Sequence, residues 1–384
     1  MKPVIRFIYV ILFALLLTSC RSASDRTDDP VVGKEDNALR YAQRFKMSQK
    51  HDFTLLSVSQ PWQNAASNTE YHYVLGRDST GIPPEWQKHT FIHTPAERVV
   101  IFSTTYIGLL EALDELPSVI GVSGPGYIYN KKLLERYHRS ELYDVGSDQQ
   151  VNFERIISLQ PDLVFLYGIK ADVSRLIQRL DQMDIQTVIC ADYLEDHPLG
   201  RAEWIRFFGA FYDRNSQADS IFSSVASRYE KLIETLPDDR KKPTVFLGLP
   251  WKDTWYVAGG NSYAAQLIID AGGMYVWDHI SSSEAIPYDL ESVFGTIASA
   301  DIWLNPGSAV DNKDILATDK RLEHLTAFKE GRIYNNNKRM GEGGGNDYWE
   351  SGIIRPDRIL KDLIHIFFSE EVHPDTLYYY KSIK

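Results

Sequence analysis

The chain has 384 residues, of which 43% are hydrophobic and 12% aromatic, and its formal net charge is −11 at neutral pH. An acidic chain of this kind lacks the basic surface that binds nucleic acid or anionic lipid, so the composition argues against both partners. Its two cysteines, Cys20 and Cys190, are too few for a cysteine-based zinc or iron–sulfur site. The length is sufficient for two hydrophobic cores.

The first twenty residues predict a targeting segment. Lys2 and Arg6 precede an apolar run from Phe7 to Leu17, and small residues then lead to Cys20. A helix of about 11 residues reaches roughly 16 Å, which is too short to span the hydrocarbon core of a membrane. The pattern is typical of a bacterial lipoprotein signal peptide, with residues 1–19 removed and lipid attached to Cys20. An ordinary secretory signal followed by a chance cysteine is the alternative.

Residues 20–38 are polar, charged and non-periodic, which predicts a lipidated tether. We therefore expect the protein in the cell envelope, lipid-anchored on the periplasmic or outer face of a bacterial membrane. If Cys20 carries lipid, Cys190 has no disulfide partner. Cys190 lies in the apolar run 185–191, which predicts a buried strand residue.

Residues 39–93 alternate short apolar and polar stretches with Gly and Pro between them, which predicts a small antiparallel lead-in. His89 and His93 have a spacing that would suit a metal on a helix. However, Thr90-Phe91-Ile92 favours a strand, on which the two histidines would lie about 13 Å apart. No metal site is expected.

From residue 98 the pattern changes to alternating strands and helices. Predicted strands and helices of the first half are 99–102, 106–116, 119–122, 153–159, 162–167, 171–183 and 185–191. Helices 201–212 and 216–236 follow, and alternation resumes with 244–249, 262–271, 290–298, 301–304, 332–335 and 356–368. Strand–helix alternation predicts parallel sheets. The predicted units are a first lobe at 39–215, a linking helix at 216–238 and a second lobe at 239–384.

A weak internal repeat supports two similar lobes. The segment from Glu154 to Gly168 and the segment from Glu291 to Gly307 each contain a short helix, a turn ending in Asp, an apolar strand and a Gly-bearing loop. Such units are common, so the repeat by itself only suggests pseudo-symmetry.

The order of these motifs resembles the periplasmic substrate-binding proteins of ABC transporters for iron complexes and cobalamin. The likeness covers roughly residues 95–368. The segments that carry it are Arg98-Val-Val-Ile-Phe-Ser-Thr, Leu116-Pro-Ser-Val-Ile-Gly-Val-Ser, Asn152-Phe-Glu-Arg-Ile, Gly259-Gly-Asn-Ser-Tyr, Pro287-Tyr-Asp-Leu-Glu-Ser-Val and Asp301-Ile-Trp-Leu-Asn-Pro-Gly.

The resemblance implies an α/β fold with two Rossmann-like lobes bridged by a single long helix, the class III type of periplasmic binding protein. It also implies that a bulky small molecule is held between the lobes and passed to an ABC permease. We expect a monomer without a cofactor. Glu154 and Glu291 match the acids that dock on permease arginines in this family. The alternative for each is a glutamate that offsets the dipole at the start of a helix.

Candidate ligand-binding residues lie in the loops at the carboxyl ends of strands, where ligands bind in open α/β folds. Aromatic rings beside polar groups suit a bulky, partly apolar ligand, and Lys338 and Arg339 could face anionic oxygens. About half of the rings are expected to be structural. The candidates are Thr104, Thr105, Tyr106, Tyr127, Tyr167, Tyr193, Trp251, Trp255, Tyr256, Lys338, Arg339, Tyr348 and Trp349.

Enzyme motifs are incomplete. The segment 260–264 lacks the second glycine of a nucleophile elbow, and 341–346 lacks the Lys-Ser/Thr of a phosphate-binding loop. The sequence therefore predicts a solute-binding lipoprotein that is not an enzyme and whose ligand is a siderophore, haem or cobalamin. A haem- or iron-complex-binding surface lipoprotein without a transport role is the first alternative, and a lipoprotein hydrolase is the second.

Overall fold

The computed structural model describes residues 39–147, 149–168, 172–236, 241–369 and 371–384. The predicted signal peptide, the tether 20–38 and Cys20 lie outside the described residues. Within the described part of the chain, no helix has the length and apolar character needed to cross a membrane.

The lead-in forms a four-stranded sheet. Its strands, in spatial order, are β1 (Phe45–Gln49), β2 (Phe53–Ser59), β3 (Glu70–Gly76) and β4 (Thr90–His93). The first three pair antiparallel as predicted, whereas β4 runs parallel to β3 because residues 77–89 cross back over the sheet. One face packs on the first lobe, where the rings of Phe45 and Trp204 lie 4.8 Å apart. The other face holds a small cluster around Leu55, Val74 and Ile82.

The first lobe contains a parallel sheet of short, buried strands, and helices connect consecutive strands. Its strands are β5 (Val99–Ile101), β6 (Val119–Val122), β7 (Tyr143–Asp144), β8 (Leu163–Leu166) and β9 (Thr187–Ile189), in the order β7-β6-β5-β8-β9. Its helices are α1 (Thr105–Ala112), α2 (Lys131–His138), α3 (Phe153–Leu159) and α4 (Val173–Asp181). Because the strands are parallel, the loops that follow them meet at one edge. Cys190 directly follows β9 and is buried, as predicted.

Two consecutive helices leave the first lobe, α5 (Pro198–Ala210) and α6 (Asn215–Glu234). Nearly all of α5 is buried, because its aromatic side chains pack among the sheets on both sides. Helix α6 has 20 residues and buries one stripe that includes Phe222, Val225 and Tyr229. It is the long helix that the sequence predicts between the lobes.

The second lobe repeats the arrangement. In chain order its strands are β10 (Thr244–Leu247), β11 (Thr254–Ala258), β12 (Met274–Tyr275), β13 (Ala285–Asp289), β14 (Ile302–Leu304), β15 (Ile333–Asn335) and β16 (Lys381–Ser382). Its helices are α7 (Tyr263–Asp270), α8 (Leu290–Ile297), α9 (Asn312–Thr318), α10 (Thr326–Lys329), α11 (Asp347–Glu350) and α12 (Pro356–Phe368). The main sheet has the order β12-β10-β14-β15-β16, and only β16 is antiparallel; β11 and β13 form a separate ribbon.

Candidate ligand-binding cleft

A cavity of about 400 Å³, called the cleft below, is lined by the lead-in sheet and by both lobes. The lead-in contributes Arg44, Gln60, Trp62, Gln63, Asn64 and Ala65. The first lobe contributes Tyr193, Leu194, Glu195, Asp196 and Arg201. The second lobe contributes Ala258, Ser262, Tyr263, Ala264, Ser283, Glu284, Ala285 and Trp349. Rings, hydroxyls and charges thus meet in one space, as in many small-molecule sites.

Tyr193 is positioned by the end of β9. Its hydroxyl donates to the carbonyl oxygen of Gly168 at 2.7 Å. Burial raises the pKa of Tyr193 to about 12, so the phenol is neutral at physiological pH. Its ring lies 6.4 Å from that of Tyr167, edge to face. Tyr193 is therefore a fixed ring at the wall of the cleft.

Arg201 reaches from α5 toward the second lobe. Its Nη2 donates to the carbonyl oxygen of Tyr193 at 2.8 Å, and its Nε donates to that of Glu195 at 3.3 Å. The guanidinium carbon lies 3.9 Å from the ring centroid of Tyr263 on α7, a cation–π contact between the lobes. Arg201 thus helps to hold the two walls of the cleft in register.

Two aspartates flank this arginine. Asp192 is buried, and its burial raises its pKa to about 6 although Arg201 and the Thr105 hydroxyl favour its ionised form. Asp196 is half-buried beside Ser283 of the second lobe, whose hydroxyl favours the ionised form, but burial has the larger effect and raises the pKa of Asp196 as well. The cleft therefore carries both signs of charge.

Several predicted candidates lie at or near the cleft surface. Tyr193 and Trp349 line it, and Tyr167 packs beside Tyr193. Thr104 and Thr105 are half-buried at the start of α1, where Thr105 contacts Asp192. Tyr127, Trp251 and Tyr256 have large exposed rings outside the set that lines the cleft.

Three predicted candidates are core residues instead, which corrects the expectation that they face a ligand. Tyr106 is fully buried, and its hydroxyl donates to the Leu166 carbonyl. Trp255 alternates with Tyr256 along β11, so the two point to opposite faces; the Trp255 Nε1 donates to the Leu247 carbonyl at 3.0 Å. Tyr348 is buried against three rings, those of Trp349, Tyr379 and Tyr380.

The two predicted cations are engaged within the protein, which corrects the expectation that they face an anionic ligand. Lys338 Nζ donates to the carbonyl oxygen of Leu377. Arg339 Nε lies 2.5 Å from a carboxylate oxygen of Asp347, and its guanidinium lies over the rings of Tyr129 and Tyr378. Both cationic side chains therefore make their contacts within the protein.

Sequence analysis missed Arg44, Trp62, Arg201 and Tyr263. Trp62 lies in a Pro-, Asn- and Ser-rich turn between two predicted strands, in the part of the chain to which the resemblance assigns no role. Tyr263 directly follows the Gly-Gly-Asn-Ser loop, so the rule that ligands meet loops after strands would have included it.

Glu154 and Glu291 occupy matching positions, each in the first turn of a helix, α3 and α8. Both side chains are exposed. Asn152 and Asp289 cap the two helices by accepting backbone N–H groups at 2.9 Å. Glu291 also forms an ion pair of 2.5 Å with Arg321. The sequence repeat is therefore a repeat of local structure.

Comparison with known proteins agrees with this architecture. The chain is 28% identical over 302 residues to an uncharacterized lipoprotein of Methanocaldococcus jannaschii, covering 75% of this chain and 70% of that protein. It superposes with a TM-score of 0.57 on a possible iron-binding, periplasmic solute-binding protein of Staphylococcus epidermidis, at 18% identity, covering 72% of this chain and 100% of that one. A periplasmic heme binding protein of Pseudomonas aeruginosa gives 0.56 at 15% identity, with 72% and 94% covered.

These structural likenesses establish the fold: mixed α/β, with the lobes and long helix of the class III type. The family assignment comes from the sequence itself. Residues 99–339, more than half of the chain, match the family described as periplasmic binding protein. The chain therefore belongs to the periplasmic binding protein family.

Proposed function

We propose that this protein is a lipid-anchored solute-binding protein that captures an iron complex (siderophore or haem) or cobalamin in the cleft and delivers it to an ABC permease. The observation that carries the proposal is the cleft itself, where Tyr193 of the first lobe and Trp349 of the second line one cavity. Family membership supports binding as the activity, and the lipoprotein relative supports the anchor.

The chemistry of the cleft suits a bulky ligand with both apolar and polar parts. The rings supply contact area with few rotatable bonds, and the Tyr193 hydroxyl and Asp196 supply fixed polar groups. The lobes already meet through the cation–π contact of Arg201 with Tyr263, and Asp196 and Ser283 line the cleft from opposite lobes. A ligand that enters this cleft consequently meets walls that are largely pre-formed, which limits the ordering cost of binding.

The experiment is a titration of the purified protein with haemin, ferrichrome and cyanocobalamin, followed by absorption and tryptophan fluorescence. We expect saturable 1:1 binding of at least one compound. Tyr193→Ala should weaken that binding at least about fivefold, which corresponds to about 1 kcal/mol. Tyr137→Ala, which removes a half-buried tyrosine of α2 outside the cleft lining, serves as the control. Absence of binding by all three compounds would reject the proposed ligand class.

Delivery is the second half of the proposal. Glu154 and Glu291 are exposed carboxylates on different lobes and can register the protein on a positively charged permease surface at two points. A surface lipoprotein without a transport role would not need them. Transport therefore depends on these two acids in a way that ligand affinity does not.

A further inference from the structure

The turn between β2 and β3, residues 60–69, lies outside the part of the chain that matches the family, yet it lines the cleft. We propose that this turn, through Trp62, is a specificity-determining wall that stacks on a planar, conjugated ring system of the ligand. The inference deepens the proposed function and rests on it for the presence of a ligand in the cleft.

Hydrogen bonds hold the base of the turn, and the region near its tip lies against the first lobe. Arg44 Nη1 donates to Oε1 of Gln60 at 3.0 Å, and the Gln60 N–H donates to the Thr69 carbonyl at 2.8 Å. Near the tip, Gln63 lines the same cavity as Tyr193, and its backbone N–H is close enough to the Tyr193 hydroxyl to lower the pKa of that phenol. The turn therefore lies beside the first lobe at a residue that itself lines the cleft.

Trp62 is oriented within this frame. Its indole packs edge-to-face on Tyr71 of β3, with ring centroids 6.2 Å apart, and it remains only half-buried while lining the cleft. Gln60 and Asn64, on either side of it, have left-handed backbone angles, with φ of 48° and 58°. Asparagine adopts such angles more readily than other residues with a Cβ, whereas for Gln60 they are uncommon and persist where surrounding contacts impose them. The backbone on both sides of the half-buried indole is therefore in a left-handed turn conformation.

Charges of both signs line this cleft, and they do not by themselves select a ligand. The two arginines donate to neighbouring protein oxygens, Arg44 to Gln60 and Arg201 to two backbone carbonyls. Asp196 and Glu284 line the same space with the opposite sign. Trp62, Tyr193 and Trp349 come from three separate parts of the fold, and rings of this kind contribute stacking area. Stacking on a conjugated ring, more than ion pairing, therefore distinguishes one ligand from another.

The test compares Trp62→Ala and Trp62→Phe with Trp86→Ala. Trp86 is a half-buried indole of the same lead-in unit, but it belongs to the small cluster on the other face of the sheet. The probes are haemin and cyanocobalamin, which carry conjugated macrocycles, ferrichrome, which carries none, and 8-anilinonaphthalene-1-sulfonate as a simple aromatic probe. Affinities come from fluorescence or absorption titrations, and circular dichroism verifies that each variant is folded.

We expect Trp62→Ala to weaken binding of the conjugated probes that wild type binds by about fivefold to a hundredfold, the usual range for one aromatic stack. Trp62→Phe should restore part of the affinity, and Trp86→Ala should leave it unchanged. Trp62-dependent binding of the sulfonate alone would support the inference while rejecting iron complexes and cobalamin as ligands.

Four results would overturn the inference. Wild-type affinity in Trp62→Ala would do so directly. An equal loss in Trp86→Ala would trace the effect to folding of the lead-in sheet. Binding of ferrichrome alone would also overturn it, while leaving the proposed function intact. Failure of wild type to bind any of the four probes would overturn both proposals.

Discussion

Glu195 and Glu203 divide between them the backbone N–H groups of five consecutive residues, 40–44. Glu203 accepts from the first three residues and Glu195 from the last two, at 2.8 to 3.1 Å. Both carboxylates are buried, and Glu195 also accepts from Trp204 Nε1 at 3.0 Å. These hydrogen bonds hold residues 40–44, at the start of the described chain, against the first lobe. They also place Arg44 at the cleft.

Glu203→Ala should destabilise the protein by about 3–5 kcal/mol, because it leaves Arg206 without its buried partner and three N–H groups without an acceptor. Chemical denaturation measures the change. Glu230→Ala is the matched control: Glu230 contacts Arg40 in the same segment but is 35% exposed, so its loss should cost less than about 1 kcal/mol. Equal losses in the two variants would contradict the role of the buried carboxylate.

Glu350 makes stability depend on pH. Its buried carboxyl accepts the backbone N–H of Tyr129 of the first lobe at 2.8 Å, and burial, reinforced by Asp347, raises its pKa from the ordinary 4.5 to about 8. The folded state then binds more protons than the unfolded state between these values, so the stability contributed by this group is lost as pH rises from about 4.5 to about 8.

Glu350→Gln should remove that dependence. We expect it to be more stable than wild type at pH 9 by more than about 1 kcal/mol, with a smaller difference or the opposite order at pH 5. Denaturation curves at the two pH values provide the measurement. Glu135→Gln, at an exposed position in the first lobe, should follow wild type at both. A Glu350→Gln curve parallel to wild type across this range would show that the carboxyl does not change protonation.

Regular elements were predictable where local pattern and packing agree. The helix at 356–368 was predicted with both ends correct, because Pro356 at its first position and its buried stripe give the same signal. The β11–β13 ribbon was missed. Its second strand, Ala285-Ile-Pro-Tyr-Asp, has no fully buried residue and contains proline, so it lacks the apolar run of a buried strand.

The residues of the site were only partly predictable, because the direction in which each side chain points depends on tertiary packing. The rule of loops after strands selected both Trp255 and Tyr256, although neighbouring strand residues face opposite sides. Trp62 enters the cleft from a separate sheet, and nothing local to residues 39–93 indicates where that sheet packs. The number of cations available to a ligand was overestimated for the same reason, because the protein partners of Lys338 and Arg339 come from other segments.

Trp349 and Trp255 should respond differently to truncation. Trp349 is 47% exposed and lines the cleft, so Trp349→Ala should weaken binding of whichever compound wild type binds by about 1–3 kcal/mol with little effect on folding. Trp255 is buried, so Trp255→Ala should cost about 3–5 kcal/mol of stability. Paired titrations and denaturation curves separate the effects. Loss of stability in Trp349→Ala with unchanged affinity would contradict the assignment.

Cys20 lies outside the described residues, and its lipidation remains a prediction from sequence. Cys20→Ala should abolish incorporation of labelled fatty acid and release the protein from the membrane fraction. Cys190→Ala is the control, because Cys190 is buried beside β9 and has no predicted lipid. A Cys20→Ala protein that remains labelled and membrane-bound would contradict lipidation at this residue.

The two exposed acids give a test of transport that is independent of affinity. Glu154→Lys together with Glu291→Lys should leave ligand binding nearly unchanged, because neither residue lines the cleft. Uptake, or stimulation of permease ATPase activity, should fall sharply, because like charges would then face the permease arginines that the family resemblance implies. The measurement is transport by the reconstituted permease with each variant at saturating ligand.

The matched control reverses Glu135 and Glu330, two exposed acids that lie one on each lobe, to Lys. It produces the same change in net charge, so a general electrostatic effect would lower transport equally in both double variants. Because Glu291 pairs with Arg321, the Glu291→Lys single variant also needs a denaturation curve to show that losing this exposed pair costs less than about 1 kcal/mol. Transport that survives reversal of Glu154 and Glu291, or falls equally in the control, would remove these acids from docking and favour a binding lipoprotein without a transport role.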